Sequence, residues 1–183
     1  EQYLSTYAKL TGLANGGFVV AWHSYQQDAV DGGWAAMTRI YDANGAAVTG
    51  EIQLNTTTTG EQAQVSVVQL TGGNLIYSWQ SGASGFYDVY GLRMTAEGVA
   101  VGGEFLMNAT TANHQFQPTL VAQSGGGFAA FWSSNAQTGG NGSYEVIGQM
   151  YDSAATKVGG EFQGNTNIVN DQAWSQASEL TSG

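Results

Sequence analysis

The stretch Phe18–Trp22 reads FVVAW, and two later stretches of the chain close an apolar run on tryptophan in the same way. They are LIYSW at Leu75–Trp79 and FAAFW at Phe128–Trp132. Counted from the three tryptophans, the same residue types recur at constant spacings. A glutamine lies seventeen residues before both Trp79 and Trp132, and an aromatic residue follows each tryptophan after a segment of variable length. The chain is therefore a threefold internal repeat.

The repeat divides the chain into units of 53 to 60 residues. We predict units at residues 1–60, 61–113 and 114–170, and residues 171–183 repeat the beginning of a unit. The length differences fall before the tryptophan run and between the tryptophan and the next aromatic residue. Because a longer loop costs little free energy, these segments are predicted to be loops, and the constant spacings indicate paired strands.

The sequence of each unit predicts four antiparallel strands. The first resembles QVSVVQL at Gln64–Leu70, the second is the tryptophan run, the third begins at the next aromatic residue, and the fourth is short, as in EFLM at Glu104–Met107. Turn sequences such as DANG at Asp42–Gly45 favour hairpins. No long window has helical periodicity. The sequence predicts an all-β fold of three β-propeller-like units, with the β-trefoil and the β-prism as alternatives.

Two consequences follow from this pattern. One large indole in each sheet is predicted to fill the space against the neighbouring sheet. Residues 171–183 are predicted to add an extra first strand, so that four first strands accompany three of every other strand. An unpaired strand favours an open array, which the next repeat of a longer polypeptide or a second molecule would complete.

Composition excludes several classes of partner. The chain carries a net charge of -10 and has only four basic residues, which makes nucleic acid and anionic membrane surfaces unsuitable partners. It contains no cysteine. No apolar run approaches the roughly 20 residues of a membrane span, so we predict no membrane insertion.

The repeat resembles a unit found in series in very large secreted bacterial surface proteins and adhesins of the RTX type. The residues that carry this resemblance are NGGFVVAW, IYDANG, VGGEF and NDQ, and the resemblance extends over nearly the whole chain. The resemblance implies an extracellular or cell-surface location and an adhesive, structural role. The glycine-rich nonapeptide that binds calcium in the companion repeats of that family is absent.

Candidate ligand-binding residues lie where the variable segments are predicted to meet the linkers between units. Aromatic residues at this end would stack on sugars, and repeated amides would bind sugar hydroxyls or satisfy backbone groups of the linkers. These candidates are Trp34, Tyr87, Tyr144, Asn55, Asn108 and Asn165. Asp28 and Asp31, in a glycine-flanked loop, would supply two oxygen ligands to calcium.

No catalytic motif is present, and we predict that the chain is not an enzyme. The sequence lacks GxSxG, HExxH, a P-loop and a cysteine nucleophile. Glu51, Glu104 and Glu161 recur in all three units, which favours a structural role because an active site is normally built once. The sequence thus favours an adhesive repeat protein that self-associates. The alternatives are a carbohydrate-binding module and a calcium-stabilised module, with no other cofactor expected.

Overall fold

The structure is a computed structural model, and it describes residues 8–27, 33–83, 85–135, 137, 143–166, 170–173 and 175–178. Within these residues the chain forms twelve β-strands and no helix. The strands make three antiparallel sheets of four strands each, and in every sheet the strands are neighbours in chain order. The prediction of an all-β chain with three four-stranded units is confirmed.

The first sheet contains β1 (Lys9–Gly12), β2 (Phe18–Tyr25), β3 (Trp34–Tyr41) and β4 (Ile52–Gln53). The second contains β5 (Glu61–Gln69), β6 (Leu75–Ala83), β7 (Phe86–Met94) and β8 (Phe105–Leu106). The third contains β9 (Gln115–Ala122), β10 (Phe128–Asn135), β11 (Tyr144–Tyr151) and β12 (Lys157–Gln163).

The tryptophan strands β2, β6 and β10 hold the same position in their sheets. Trp22 lies opposite Met37, Trp79 opposite Tyr90 and Trp132 opposite Ile147, so the register is the same in all three sheets. A tight turn connects β3 to the residues that lead into β4. In the turn after β3, the carboxylate of Asp42 accepts hydrogen bonds from the backbone N–H groups of Asn44 and Ala46, both at 2.8 Å.

Side chains alternate between the two faces of each tryptophan strand. The face that carries the tryptophan, which we call the tryptophan face, packs against the preceding sheet. Trp79 is buried against a group from the first sheet that includes Val19, Ala21 and Ile40. Trp132 is buried in the same way against Ile76 and Val89 of the second sheet, among others. The prediction that one tryptophan in each sheet fills the space between sheets is confirmed for Trp79 and Trp132, whereas Trp22 is half-buried and belongs to neither core.

The first strands contain a feature that the sequence does not indicate. The register of β5 on β6 shifts between Ala63 and Ser66, and the register of β9 on β10 shifts at the equivalent place. Gln64 and Gln117 lie in these bulges with φ values of 57° and 54°. A bulge increases local twist and bends the strand. The three sheets are consistent with a β-propeller-like fold, but across the described residues they do not close into a ring.

The extra strand predicted over 171–183 is not formed by the part of that segment that the structure describes, residues 171–173 and 175–178. These residues, which we call the tail, nevertheless lie against the third sheet. The backbone N–H of Gln172 donates to the Tyr144 carbonyl at 2.7 Å, and Ser175 lines a cavity of 110 Å³ with Val65 and Pro118. A strand needs a hydrogen-bonded partner, and the 183 residues contain no fourth tryptophan run to supply it.

Tyr77 makes the interface between the first and second sheets less stable at alkaline pH. Its side chain is 0% exposed, and Thr38 Oγ1 donates a hydrogen bond to its hydroxyl at 3.1 Å. Burial raises the pKa of Tyr77 from 10.0 to about 12, and the Thr38 hydrogen bond opposes this only in part. Because the folded-state pKa is the higher one, the stabilisation is complete below pH 10.0 and is lost as pH rises toward about 12.

We expect the loss of unfolding free energy across this pH range, measured by urea unfolding, to be about 2 kcal/mol larger for the wild type than for Tyr77→Phe. Phenylalanine keeps the ring but has no hydroxyl to ionise, so it is the matched control. Parallel pH profiles for the two proteins would show that Tyr77 does not limit stability in alkali.

Candidate functional site

Two kinds of connection meet at one end of the sheets, which we call the loop end. One kind joins the second strand of a sheet to its third, and the other is the linker to the next sheet. A Cβ atom on Gly33 would lie 2.4 Å from the carbonyl oxygen of Gly60, and one on Gly60 would lie 2.5 Å from that of Gly82. These glycines let the connections of the first two sheets approach one linker closely.

The repeated asparagines hold the linkers to the third strands. Asn55, Asn108 and Asn165 each accept a hydrogen bond through Oδ1 from the backbone N–H of a third strand, at 2.9, 2.7 and 2.8 Å. The Nδ2 groups of Asn55 and Asn108 donate to the carbonyls of Thr57 and Thr110. Asn55 and Asn108 are buried, and Asn165 is half-buried. These contacts are those of a structural role, and binding of a ligand by the three asparagines stays a prediction.

The repeated glutamates form a second set of contacts between units. The carboxylate of Glu104 accepts a hydrogen bond from the backbone N–H of Thr56, the residue after the linker asparagine of the preceding unit. Glu161 accepts one from Ala109, which holds the equivalent position one unit later. In both cases the glutamate of one unit holds the linker of the unit before it. This is a structural contact of the kind that the threefold recurrence predicts.

The predicted aromatic residues begin the third strands and are half-buried. Trp34 lies in a cluster of its own, with ring centroids 4.8 Å from His23 and 5.1 Å from Tyr25. We call this the Trp34 cluster. Burial lowers the pKa of His23, and the charge of Glu61 opposes this in part. The His23 ring is therefore neutral at pH 7, its pKa lying below the usual 6.5.

Tyr87 and Tyr144 belong to a larger group of rings at the junction of the second and third sheets. The ring centroid of His114 lies 6.4 Å from that of Phe86, 5.6 Å from that of Tyr87 and 5.9 Å from that of Phe116. Phe116 in turn lies 5.0 Å from Tyr144. The five rings form a continuous row, which we call the aromatic surface.

The aromatic surface is open to solvent and has polar groups at its edges. Phe86 is 73% exposed, and the other four rings are half-buried. The hydroxyl of Tyr87 donates a hydrogen bond to the carboxylate of Glu61. At the other end of the row, the carboxylate of Asp171 accepts one from the backbone N–H of Tyr144 at 3.1 Å. A row of ring faces bordered by carboxylates suits a ligand that has an apolar face and hydroxyl groups.

Sequence reasoning missed three members of this surface: Phe86, His114 and Phe116. A signal for two of them was present, because His114 and Phe116 are two residues apart at the start of a first strand and so face the same side. Phe86 directly precedes a predicted site residue. What the repeat alone did not show is that a first strand of one unit lies beside the third strand of the unit before it.

The calcium prediction rests on Asp28 and Asp31, and both lie outside the described residues. Within the part of the chain that the structure describes, no group of three or more histidine, aspartate or glutamate side chains could hold a metal ion. A calcium-stabilised module stays a prediction. Among the same residues, no helix is long and apolar enough to cross a membrane.

Comparison with known proteins supports the fold alone. No family model matches the sequence, and a search of curated proteins finds no match. A crystal structure of a protein of unknown function from Dyadobacter fermentans aligns with 89% of this chain at a TM-score of 0.62 and 10% identity. An endo-arabinase from Bacteroides thetaiotaomicron aligns with 88% of it at 0.54 and 12% identity. The chain spans 54% and 62% of the lengths of these two structures.

Proposed function

We propose that this chain is an adhesive repeat module with propeller-like blades, located at the bacterial cell surface, that binds carbohydrate at the aromatic surface. The observation that carries the proposal is the continuous row of five rings across the junction of two sheets. The location and the adhesive role rest on the resemblance of the repeat to secreted surface proteins. The proposal is one of binding, not catalysis.

A sugar fits the chemistry of this surface better than a purely apolar ligand. Its C–H face stacks on aromatic rings, and its hydroxyl groups donate to carboxylates at the edge of the stack. Phe86 offers the most accessible ring, at 73% exposure, and the Glu61 carboxylate lies beside the neighbouring ring of Tyr87. The Trp34 cluster, with Tyr25 41% exposed, is a smaller surface of the same kind one sheet away.

The charge of the protein favours neutral sugars over acidic ones. The net charge is -10, and Glu61 and Asp171 border the surface. A uronic or sialic acid would meet a negative potential there. We therefore expect binding of neutral glycans that weakens when a carboxylate is added to the sugar.

A glycan array followed by calorimetry on the best neutral glycan tests this function. We expect Phe86→Ala to weaken binding at least about tenfold, because the variant removes the most exposed ring of the row. The matched control is Val99→Ala, which truncates an apolar side chain that is 61% exposed on a hairpin outside the aromatic surface. An array without neutral hits, or equal affinity of the two variants, would contradict the proposal.

A further inference from the structure

Within the described residues, one face of the first sheet and one face of the third sheet lack the neighbouring sheet that the equivalent faces have at the two internal interfaces. We propose that the tryptophan face of the first sheet packs on the outward face of the third sheet of a second copy. The two interfaces inside the chain serve as templates for this contact, so the partner is identified by the repeat itself. The proposal is independent of carbohydrate binding.

The tryptophan face of the first sheet is built like the buried ones, but no sheet covers it in the described part of the chain. Leu10 is 67% exposed, whereas Val67 and Leu120 at the equivalent position are 4% and 5% exposed. Trp22 is half-buried, whereas Trp79 and Trp132 are 0% exposed. An exposed apolar face of this kind marks an interaction site.

The aromatic pair on this face already has the geometry of its buried counterpart. Phe18 stacks on Tyr41 with ring centroids 4.9 Å apart and planes 10° apart. In the third sheet, Phe128 stacks on Tyr151 at 4.7 Å and 5°, and both side chains are buried against the second sheet. The face is thus preorganised, which lowers the entropic cost of docking.

The outward face of the third sheet supplies the complementary surface. Phe131 and Phe162 pack edge to face there with centroids 5.8 Å apart, and Phe162 is 40% exposed. An open groove of 760 Å³ runs beside them, lined by Val121, Phe131 and Met150 among others. At the internal interface Phe105, the equivalent of Phe162, lies 6.2 Å from Tyr151. Docking would place Tyr41 of the second copy beside Phe162 in the same way.

The hydrogen bond from a linker to the glutamate of the next unit also has one unused position at each end of the array of three sheets. Glu104 and Glu161 each hold the backbone N–H that follows the linker asparagine of the preceding unit. Glu51 is the equivalent glutamate of the first unit, and Thr166 is the equivalent residue after Asn165. Among the described contacts, Glu51 bonds only the Gln27 side chain, at 2.9 Å. In the proposed interface, Glu51 of the second copy accepts a hydrogen bond from Thr166.

The tail lies where the first strand of the second copy would dock. By the repeat spacing Ala177 is equivalent to Leu10, and Ala177 lines the groove of the third sheet. The described part of the tail forms no strand, so it has no ladder of hydrogen bonds to break when it is displaced. In the proposed interface, Leu10 in the paired strand β1 of the second copy takes the place of Ala177 in the tail.

Sedimentation velocity on the full chain, in about 0.5 M salt to screen the net charge, tests the interface. We expect concentration-dependent association of the wild type and at least about tenfold weaker association of Leu10→Lys, which places a charge in an apolar contact. Val99→Lys is the matched control, since it adds the same charge at a similarly exposed side chain away from both faces. A wild type that stays at 19.1 kDa throughout, or equal effects of the two variants, would overturn the proposal.

Mixing two blocked variants separates this head-to-tail contact from any other. Leu10→Lys has an intact third sheet, and Phe162→Lys has an intact first sheet, so neither associates alone but a mixture forms one complete interface. We expect the mixture to give 1:1 dimers, and failure to do so would overturn the proposal. Glu51→Gln should weaken association and Glu97→Gln, the same change in a hairpin, should not. Equal behaviour of these two would remove the predicted contact with Thr166.

Discussion

Replacing Trp79 with alanine is expected to lower the free energy of unfolding by about 3–5 kcal/mol, as large-to-small substitutions of buried aromatic residues do. The indole is 0% exposed and lies in the core shared by the first two sheets. Its removal leaves a cavity between two sheets whose backbones are held by separate hydrogen-bond ladders. Neither sheet can collapse into that space without disturbing its own register, so the cavity is expected to persist.

Trp22→Ala is the matched control, because it makes the same change at the equivalent position of the uncovered first sheet. Trp22 is half-buried, so we expect a loss of about 1 kcal/mol. Urea unfolding of both variants measures the difference. Losses of equal size would show that the three indoles stabilise their own sheets and not the contacts between sheets. The comparison must be made at a concentration at which the protein is monomeric, because association would bury Trp22.

The strand arrangement could be predicted because the three units of the repeat can be aligned with one another. Constant spacing around the tryptophans located β2, β6 and β10, and alternation along them separated the residues of the tryptophan face from those of the opposite face. Turn chemistry at Asp42 located a hairpin that the structure confirms. These features are local, and local periodicity is what a single sequence displays best.

Features that depend on neighbouring sheets were not predictable in the same way. The bulges at Gln64 and Gln117 place a glutamine at positive φ, where glycine or asparagine would have been the usual signal. The aromatic surface depends on a first strand of one unit lying beside the third strand of the unit before it. The tail has the sequence of a first strand, but strand formation requires a partner and not only a pattern.

The candidate site shows the same difference between local features and features that depend on neighbouring sheets. Residue types identified Tyr87 and Tyr144 as candidates, and the structure places them in one row of rings, joined through His114 and Phe116. Trp34, predicted from the same pattern, lies in a separate cluster with His23 and Tyr25. Equivalent positions in a repeat therefore share a backbone position and differ in the side chains around them.

Asn108→Asp is expected to be the second strongly destabilising change, at about 3–5 kcal/mol near neutral pH, as for an uncompensated buried charge. Asn108 is 0% exposed, and its Nδ2 group donates to the carboxylate of Asp88 at 2.7 Å. Aspartate has nearly the same shape but would replace that donor with a second carboxylate. It would also lose the hydrogen bond to the Thr110 carbonyl.

The matched control is Asn55→Asp, because the residue equivalent to Asp88 in the first unit is Ala35, which has no carboxylate. Its side-chain neighbour is Gln62, whose amide can turn to donate a hydrogen bond, so we expect a smaller loss of about 1–2 kcal/mol. Burial already raises the pKa of Asp88, while the Asn108 hydrogen bond opposes that rise. The variant removes this opposition and adds a like charge, so the pair is expected to hold a proton at a higher pH than in the unfolded chain. Its stability should therefore rise as pH falls toward the range in which the carboxylates share a proton, more steeply than that of Asn55→Asp. Urea unfolding at several pH values measures this difference, and identical pH profiles of the two variants would show that Asp88 does not face residue 108.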